Sequence, residues 1–267
     1  MRNLAKLGEP EPEGQPMLPS ERHAIILEEV SRQPAVSIRA LTERLGVSRE
    51  TVRKDIEQLA QENKLNQVRG GATSVRTHEP PMVDRTQTNR EGKERIGSYV
   101  ASIVPDGASV IIDSGSTTLA AAQALATNHQ YLTIYTNDLT IASVLSPAAS
   151  EVTLLGGRLD FSENATMGPD TLDHLSQYNA EYALIGVGGI SARTLFTDFS
   201  LEGASLRHMM IERSQRPLLL ADSSKFDVIG KVAMKPLPLD VSLVVDSELP
   251  KDIFEALSSE PVEIVRV

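Results

Sequence analysis

The sequence predicts an α/β protein in two parts: a small helical unit near the N-terminus, then a larger domain built on a mostly parallel sheet. Three observations predict it. Apolar residues recur at helical spacing up to about residue 60, whereas beyond Lys93 they fall into short runs that alternate with helices. Charge is divided unequally, with +2 over residues 20–76 and −11 over residues 77–267 in a chain whose total is −10. Loops of Ser, Thr, Gly and Asn follow the predicted strands at one phase of the strand–helix cycle.

Composition narrows the function classes. The 267 residues are 40% hydrophobic and 23% charged, enough to bury a core. Absence of cysteine excludes disulfides, iron–sulfur clusters, thiolate zinc sites and a cysteine nucleophile. Five scattered histidines show no metal-ligand spacing, so no metal and no cofactor are expected. No run approaches the ~18 apolar residues of a membrane span, and the first seven residues do not begin a secretory signal. A cytoplasmic protein with no membrane partner is expected.

The elements follow in order. Residues 1–19, rich in Pro, Gly and Glu, read as a disordered lead-in, with Met17 as an alternative start. Residues 20–75 form the first domain. Ala24, Ile25, Ile26, Leu27 and Val30 make the apolar stripe of a first helix, which ends before Pro34. Ser37 caps a second, carrying Ile38, Leu41 and Leu45 and closed by Gly46. Ser48 caps a third, with Val52, Ile56 and Leu59 at spacings of four and three. Leu65–Val68 reads as a strand entering a Gly70-Gly71 turn. Residues 76–92, polar and with Pro80-Pro81, read as a linker, and 93–267 as the second domain. There, strands are expected at 109–112, 132–136, 152–155, 182–185, 217–221, 241–245 and 262–267. Helices are expected around 96–103, 119–126, 141–145, 201–213 and 253–257.

Two short helices joined through Leu45-Gly46-Val47 match a helix-turn-helix, whose second helix enters the DNA major groove. With Val52, Ile56 and Leu59 inward, Glu50, Lys54, Glu57 and Gln61 point outward, flanked by Thr51 and Arg53. Arginine reads guanine bidentately, while hydroxyls and lysine suit phosphate. Arg39, Ser48, Arg49, Thr51, Arg53 and Lys54 are therefore candidate contacts to double-stranded DNA, with Arg69 on a wing. A three-helix docking domain with a solvated charged face fits the same period.

The blocks Leu45-Gly46-Val47-Ser48, Thr51-Val52-Arg53-Lys54-Asp55-Ile56 and Arg69-Gly70-Gly71-Ala72 resemble the winged helix-turn-helix of the DeoR family of bacterial transcriptional regulators. That resemblance implies that the second block belongs to the recognition helix.

In the second domain Asp113-Ser114-Gly115-Ser116-Thr117-Thr118 lies between a strand and a helix. Such a loop suits a phosphate, because small residues let N–H groups converge and the helix dipole favours an anion. A plain helix cap is the competing reading. The loop lacks dinucleotide and P-loop glycine spacing, so a nucleotide is not expected. Residues 93–250 resemble the sensor domain of the same family, through Asp113–Leu119, Thr136-Asn137, Leu154–Arg158, Met210–Glu212 and Ala221–Phe226. The resemblance implies a Rossmann-like fold of the ribose-phosphate isomerase and coenzyme A transferase type, and a phosphorylated sugar effector. Carried over by position, Ser114, Gly115, Ser116, Thr117 and Thr118 hold phosphate. Asp113, Asn137, Gly157 and Arg158 approach the ligand, and Lys225 supplies a cation. The chain departs from the family pattern at Gly188, where relatives often carry Asp, and at Glu202-Gly203, where they often carry two acids.

The expected function is a ligand-controlled repressor of a carbohydrate operon, a homo-oligomer (dimer or tetramer) because paired half-sites need paired reading heads. The alternative is a sugar-phosphate isomerase, for which Asp113, Asp198, Glu202 and Lys225 are the candidate groups, though no spacing binds them into a catalytic set.

Overall fold

The computed structural model describes residues 17–32, 36–62, 64–68, 70–74, 78–237 and 240–267. The chain divides into two compact units, Met1–Ser74 and Val75–Val267. Nearly all of the expected lead-in, and Arg69 on the expected wing, lie outside the described residues.

In the first unit α1 (Pro19–Arg32), α2 (Ile38–Leu45) and α3 (Arg49–Gln61) surround one core. The strands β1 (Val36–Ser37), β2 (Leu65–Val68) and β3 (Gly71–Ser74) pair antiparallel in the order β1–β3–β2. Ile26, Val30, Leu41, Leu45, Val52, Ile56, Leu59 and Leu65 are buried together. Of the five residues expected on the α1 stripe only Ile26 and Val30 are buried; Ala24 is exposed, because successive helical residues are turned by 100° and cannot share a face. The lead-in also ends earlier than expected. Met17 packs on this core, and Pro19 opens α1, a place where a missing N–H costs nothing.

The turn between α2 and α3 is set by Gly46, whose φ of 64° is left-handed, and by Ser48, whose hydroxyl accepts the Thr51 N–H at 3.1 Å. Behind α3, Asp55 is buried and joined to α1 by a two-pronged pair: Arg22 Nε donates to Oδ2 at 2.7 Å and its NH2 to Oδ1 at 2.9 Å.

The second unit is a seven-stranded, wholly parallel sheet. Its strands are β4 (Ser109–Ile112), β5 (Leu132–Thr136), β6 (Ala149–Leu154), β9 (Ala180–Gly186), β12 (Ser214–Ala221), β14 (Val241–Val245) and β15 (Val262–Arg266). Their order, β15–β14–β12–β9–β4–β5–β6, reverses direction between β4 and β9. Alternate side chains serve opposite faces. Val110, Ile112 and Ile134 join α5 (Arg90–Ile103), α6 (Ser116–Asn128) and α7 (Leu139–Leu145) in one core. Ile111, Ile185 and Leu219 join α8 (Pro169–Leu175), α9 (Leu201–Glu212) and α10 (Lys251–Leu257) in the other.

Four features depart from the expected layout. A hairpin, β7 (Arg158–Asp160) with β8 (Ala165–Met167), and the helix α8 fill a stretch for which no element was expected. A small sheet of β10 (Gly189–Ser191), β11 (Leu195–Asp198) and β13 (Val232–Ala233) follows β9. The expected linker 76–92 is largely helical, with α4 at Met82–Gln87 and α5 starting at Arg90. Its anchor is charge rather than apolar periodicity. Arg85 is buried, donates from Nε to the Pro80 carbonyl at 2.9 Å, and pairs with Glu79 and Glu163.

Burial raises the Asp55 pKa, but the Arg22 bonds outweigh it and hold the carboxyl below its ordinary value. A lowered folded pKa contributes stability that is present above about pH 4 and lost as pH falls further. Asp55→Ala is expected to cost the first unit on the order of 1–3 kcal/mol at pH 7. It should also flatten acid sensitivity below about pH 4, both read by hydrogen exchange of the α1 and α3 amides in the full-length protein.

Candidate functional site

The first unit presents one polar helix face. Arg49, Arg53 and Lys54 on α3 are exposed, as is Ser48, while Thr51 is half-buried. None of the three cations has an acidic partner within ion-pair distance among the described residues. The Ser48 and Thr51 hydroxyls are bonded to each other at 2.9 Å, so both serve first as the helix cap. Arg39 on α2 is exposed and paired with Glu43 at 3.0 Å. The structure thus brings Ser48, Arg49, Thr51, Arg53 and Lys54 together at the start of α3.

In the second unit the carboxyl ends of β4 and β9 meet where the strand order reverses, the usual ligand crevice of such sheets. Asp113 closes that seam: its Oδ2 accepts the Gly186 N–H at 3.1 Å and Arg207 Nε at 2.7 Å. Arg207, buried on α9, also pairs with Asp198 at the end of β11. Burial disfavours its charge, but the two carboxylates outweigh that and hold its pKa well above the ordinary value.

A cavity of about 230 Å³ opens beside this trio. Ser114, Asp198, Glu202, Arg207 and Lys231 line it, together with Glu79, Asp160 and Glu163. Ser114 Oγ is buried and has no hydrogen-bond partner among the described residues. Lys231 is exposed and has no acidic partner among the described residues.

The other expected ligand residues are placed as follows. Gly115 caps α6, which has no side-chain cap. Ser116 is buried, Thr117 Oγ1 donates to Asp222 Oδ2 at 3.3 Å, and Thr118 Oγ1 donates to the Gly115 carbonyl at 3.0 Å. Asn137 is wholly buried. Its Oδ1 accepts the Ser114 N–H at 3.1 Å and its Nδ2 donates to the Thr166 carbonyl at 3.1 Å. Gly157 lies between β6 and β7, and Arg158 is exposed and paired with Glu202 at 2.6 Å. Lys225 Nζ donates to Glu79 Oε1 at 3.0 Å. Of all these, Ser114 reaches the cavity wall, and the loop around it supplies structure.

Comparison with known proteins settles the family. The DeoR-like helix-turn-helix domain matches residues 22–78, and the DeoR C terminal sensor domain matches residues 88–247. The chain belongs to the DeoR family. It is a DeoR-type transcriptional regulator, with reading head and sensor in that order. The Glycerol-3-phosphate regulon repressor of Escherichia coli (strain K12) is 32% identical over 253 residues, 93% of this chain and 99% of that one. The HTH-type transcriptional repressor GlcR of Bacillus subtilis (strain 168) is 31% identical, covering 93% and 96%. Among solved structures, ribose 5-phosphate isomerase A from Methanocaldococcus jannaschii overlaps 52% of the chain and 55% of its own, at 13% identity and a TM-score of 0.38. An overlap of that extent carries no functional information.

Gly188 of this DeoR-family sensor leaves no room for a side chain. A Cβ there meets the Thr197 carbonyl oxygen at 2.7 Å and Asp198 Cα at 2.9 Å, so no side chain fits unless β11 retreats. Sequence reading missed Glu79, Asp160, Glu163, Arg207 and Lys231. Arg207 alone carried a signal, as a cation on the helix stripe Leu206, Met210, Ile211 that packs on the sheet. Among the described residues no helix is long and apolar enough to cross a membrane, and no cluster of His, Asp or Glu is placed to hold a metal.

Asp138, next to the Asn137 clamp, caps α7 through the Ile141 N–H at 2.9 Å. Burial pushes its carboxyl up to about 6, against the N–H bonds from Ile141 and Thr140. A raised folded pKa contributes stability that is full below about pH 4 and lost as pH rises through 6. Asp138→Asn keeps the cap acceptor and is expected to remove that loss, gaining on the order of 2 kcal/mol at pH 7.5. Thermal melts of both proteins between pH 4 and 8 check it, and parallel curves would refute it.

Proposed function

We propose that this DeoR-family protein represses a carbohydrate operon by gripping operator DNA with α3, and releases or tightens that grip when a small phosphorylated sugar or polyol enters the switch-point cavity. The observation that carries the effector half is Ser114: a residue of the cavity wall beside an uncapped helix N-terminus, whose buried hydroxyl has no partner among the described residues. A buried polar atom left unsatisfied costs free energy until something bonds it, and the α6 dipole favours that something being anionic. Asp160 and Glu202 suit ligand hydroxyls, and Lys225 lies within the same charge cluster. The relative whose name specifies glycerol 3-phosphate supports a ligand of this size.

The DNA half rests on Arg49, Arg53 and Lys54, which stand exposed and unpaired at the start of α3, with Ser48, Thr51 and Arg39 flanking them. Arg69 is assigned to the wing by its position in sequence. A homo-oligomer in the cytoplasm fits paired half-sites. A purely regulatory role is supported by the state of the candidate catalytic groups. Asp113 and Asp198 are held by Arg207, Glu202 by Arg158 and Lys225 by Glu79, so each of the four groups has an ion-pair partner.

Two variants separate the halves. Arg53→Ala is expected to weaken operator binding about tenfold and leave sugar-phosphate binding unchanged. Ser114→Ala is expected to weaken sugar-phosphate binding about fivefold without loss of stability, since its hydroxyl has no internal bond to lose. The test is a thermal-shift screen of phosphorylated sugars against their unphosphorylated forms, followed by DNA-binding titrations at several salt concentrations. Equal response to both ligand sets would reject the phosphate reading, and operator binding indifferent to Arg53→Ala would reject the DNA reading.

A further inference from the structure

The cations around the α6 N-terminus are already occupied. Lys93 pairs with Asp222 at 3.2 Å, Arg207 with Asp113 and Asp198, and Arg85 and Lys225 with Glu79. Apart from the exposed Lys231 at the cavity's edge, an anionic ligand therefore gains a cation here only by displacing a carboxylate. The carboxylates differ in how they are held. Asp113 accepts the Gly186 N–H, Asp198 those of Phe199 and Ser200, and Asp222 that of Ser224, so each is fixed into its own loop. Glu79 takes no backbone N–H among the described residues. One of its oxygens, Oε1, serves both cations, at 3.1 Å from Arg85 NH1 and 3.0 Å from Lys225 Nζ. Burial opposes its charge, yet Lys225, Arg85 and Arg207 together keep its carboxyl below the ordinary range.

We propose that Glu79 is a built-in substitute for the effector's phosphate: it occupies the Arg85–Lys225 cation pair in the ligand-free protein, and a phosphate monoester takes that pair by expelling it. The exchange is chemically one-sided. A phosphate monoester brings close to two negative charges and three acceptor oxygens, so it bonds both cations through separate oxygens, where Glu79 shares one. Glu79 sits in the cavity wall on the irregular stretch His78–Pro81, between the first unit and α4. Expelling its side chain releases the chain that leads back to the DNA-reading unit at Ser74. This gives the effector the differential affinity for two states that any ligand needs in order to shift an equilibrium. The inference rests on the phosphate reading of the cavity and adds the competitor and the route of coupling.

The experiment compares full-length wild type, Glu79→Gln and Glu79→Asp. Calorimetry with glycerol 3-phosphate and with inorganic phosphate measures affinity. Hydrogen exchange of the segment His78–Arg85 measures its release. Removing an internal competitor lowers the apparent Kd in proportion to the fraction of molecules that had been left competent to bind. Glu79→Gln is expected to bind at least one of the two probes about tenfold or more tighter, and Glu79→Asp, which restores the charge, within about threefold of wild type. Exchange in His78–Arg85 should rise when either probe saturates wild type, and be raised already in ligand-free Glu79→Gln. Equal affinity in wild type and Glu79→Gln, or no change of exchange on saturating wild type, overturns the inference while the phosphate reading stands. Binding of neither probe by either protein overturns both. Should Glu79→Gln fail to fold, the exchange measurement on wild type decides alone.

Discussion

One guanidinium holds the sensor together. Arg207 reaches from α9 to Asp113 at the end of β4 and to Asp198 at the end of β11, so it ties the seam of the main sheet to the small sheet beside it. Buried charges survive only when geometry and hydrogen bonding compensate their lost hydration, and removing one member strands the others. Here both carboxylates also accept backbone N–H groups, from Gly186 and from Phe199 and Ser200, which meets that condition. The cavity wall is thus a by-product of a structural ion trio. Its position at the reversal of strand order follows from topology, because the loops after β4 and β9 diverge there and leave a crevice.

The fold was legible wherever burial imposes a period. Val241–Val245, nearly all apolar and largely buried, and Leu132–Thr136, whose Leu132 and Ile134 alternate into the core, appear at the expected positions. The third helix of the reading head was equally clear, its buried stripe being Val52, Ile56 and Leu59. Elements held by polar contacts were not legible. The helix α4 carries Arg85 as its buried residue, and no hydrophobic pattern announces a helix fixed by carboxylates far along the chain. The short strands β7, β8, β10 and β11 are three or four residues long, too brief for alternation to register.

The candidate site divides the same way. Sequence reading found the loop Asp113–Thr118 and its neighbour Asn137 because glycine and hydroxyl residues at a strand–helix junction have a physical signature. It assigned all of them to the ligand, whereas most bond one another and the protein: Thr117 to Asp222, Thr118 to Gly115, Asn137 to Ser114 and Thr166. The cavity-facing groups come instead from the β7–β8 hairpin, α9 and the stretch before α4, segments with no common motif. The same holds in the first unit. Asp55 sits inside the most diagnostic run of the recognition helix, yet its side chain turns inward to Arg22.

The Asn137 amide has a mechanical consequence. Both ends of its side chain are committed, to the Ser114 amide and to the Thr166 carbonyl, in a residue with no exposed surface. The loops after β4 and β5 and the strand β8 are therefore tied together through one buried side chain, which leaves the Ser114 hydroxyl as the unspent polar group of that jaw.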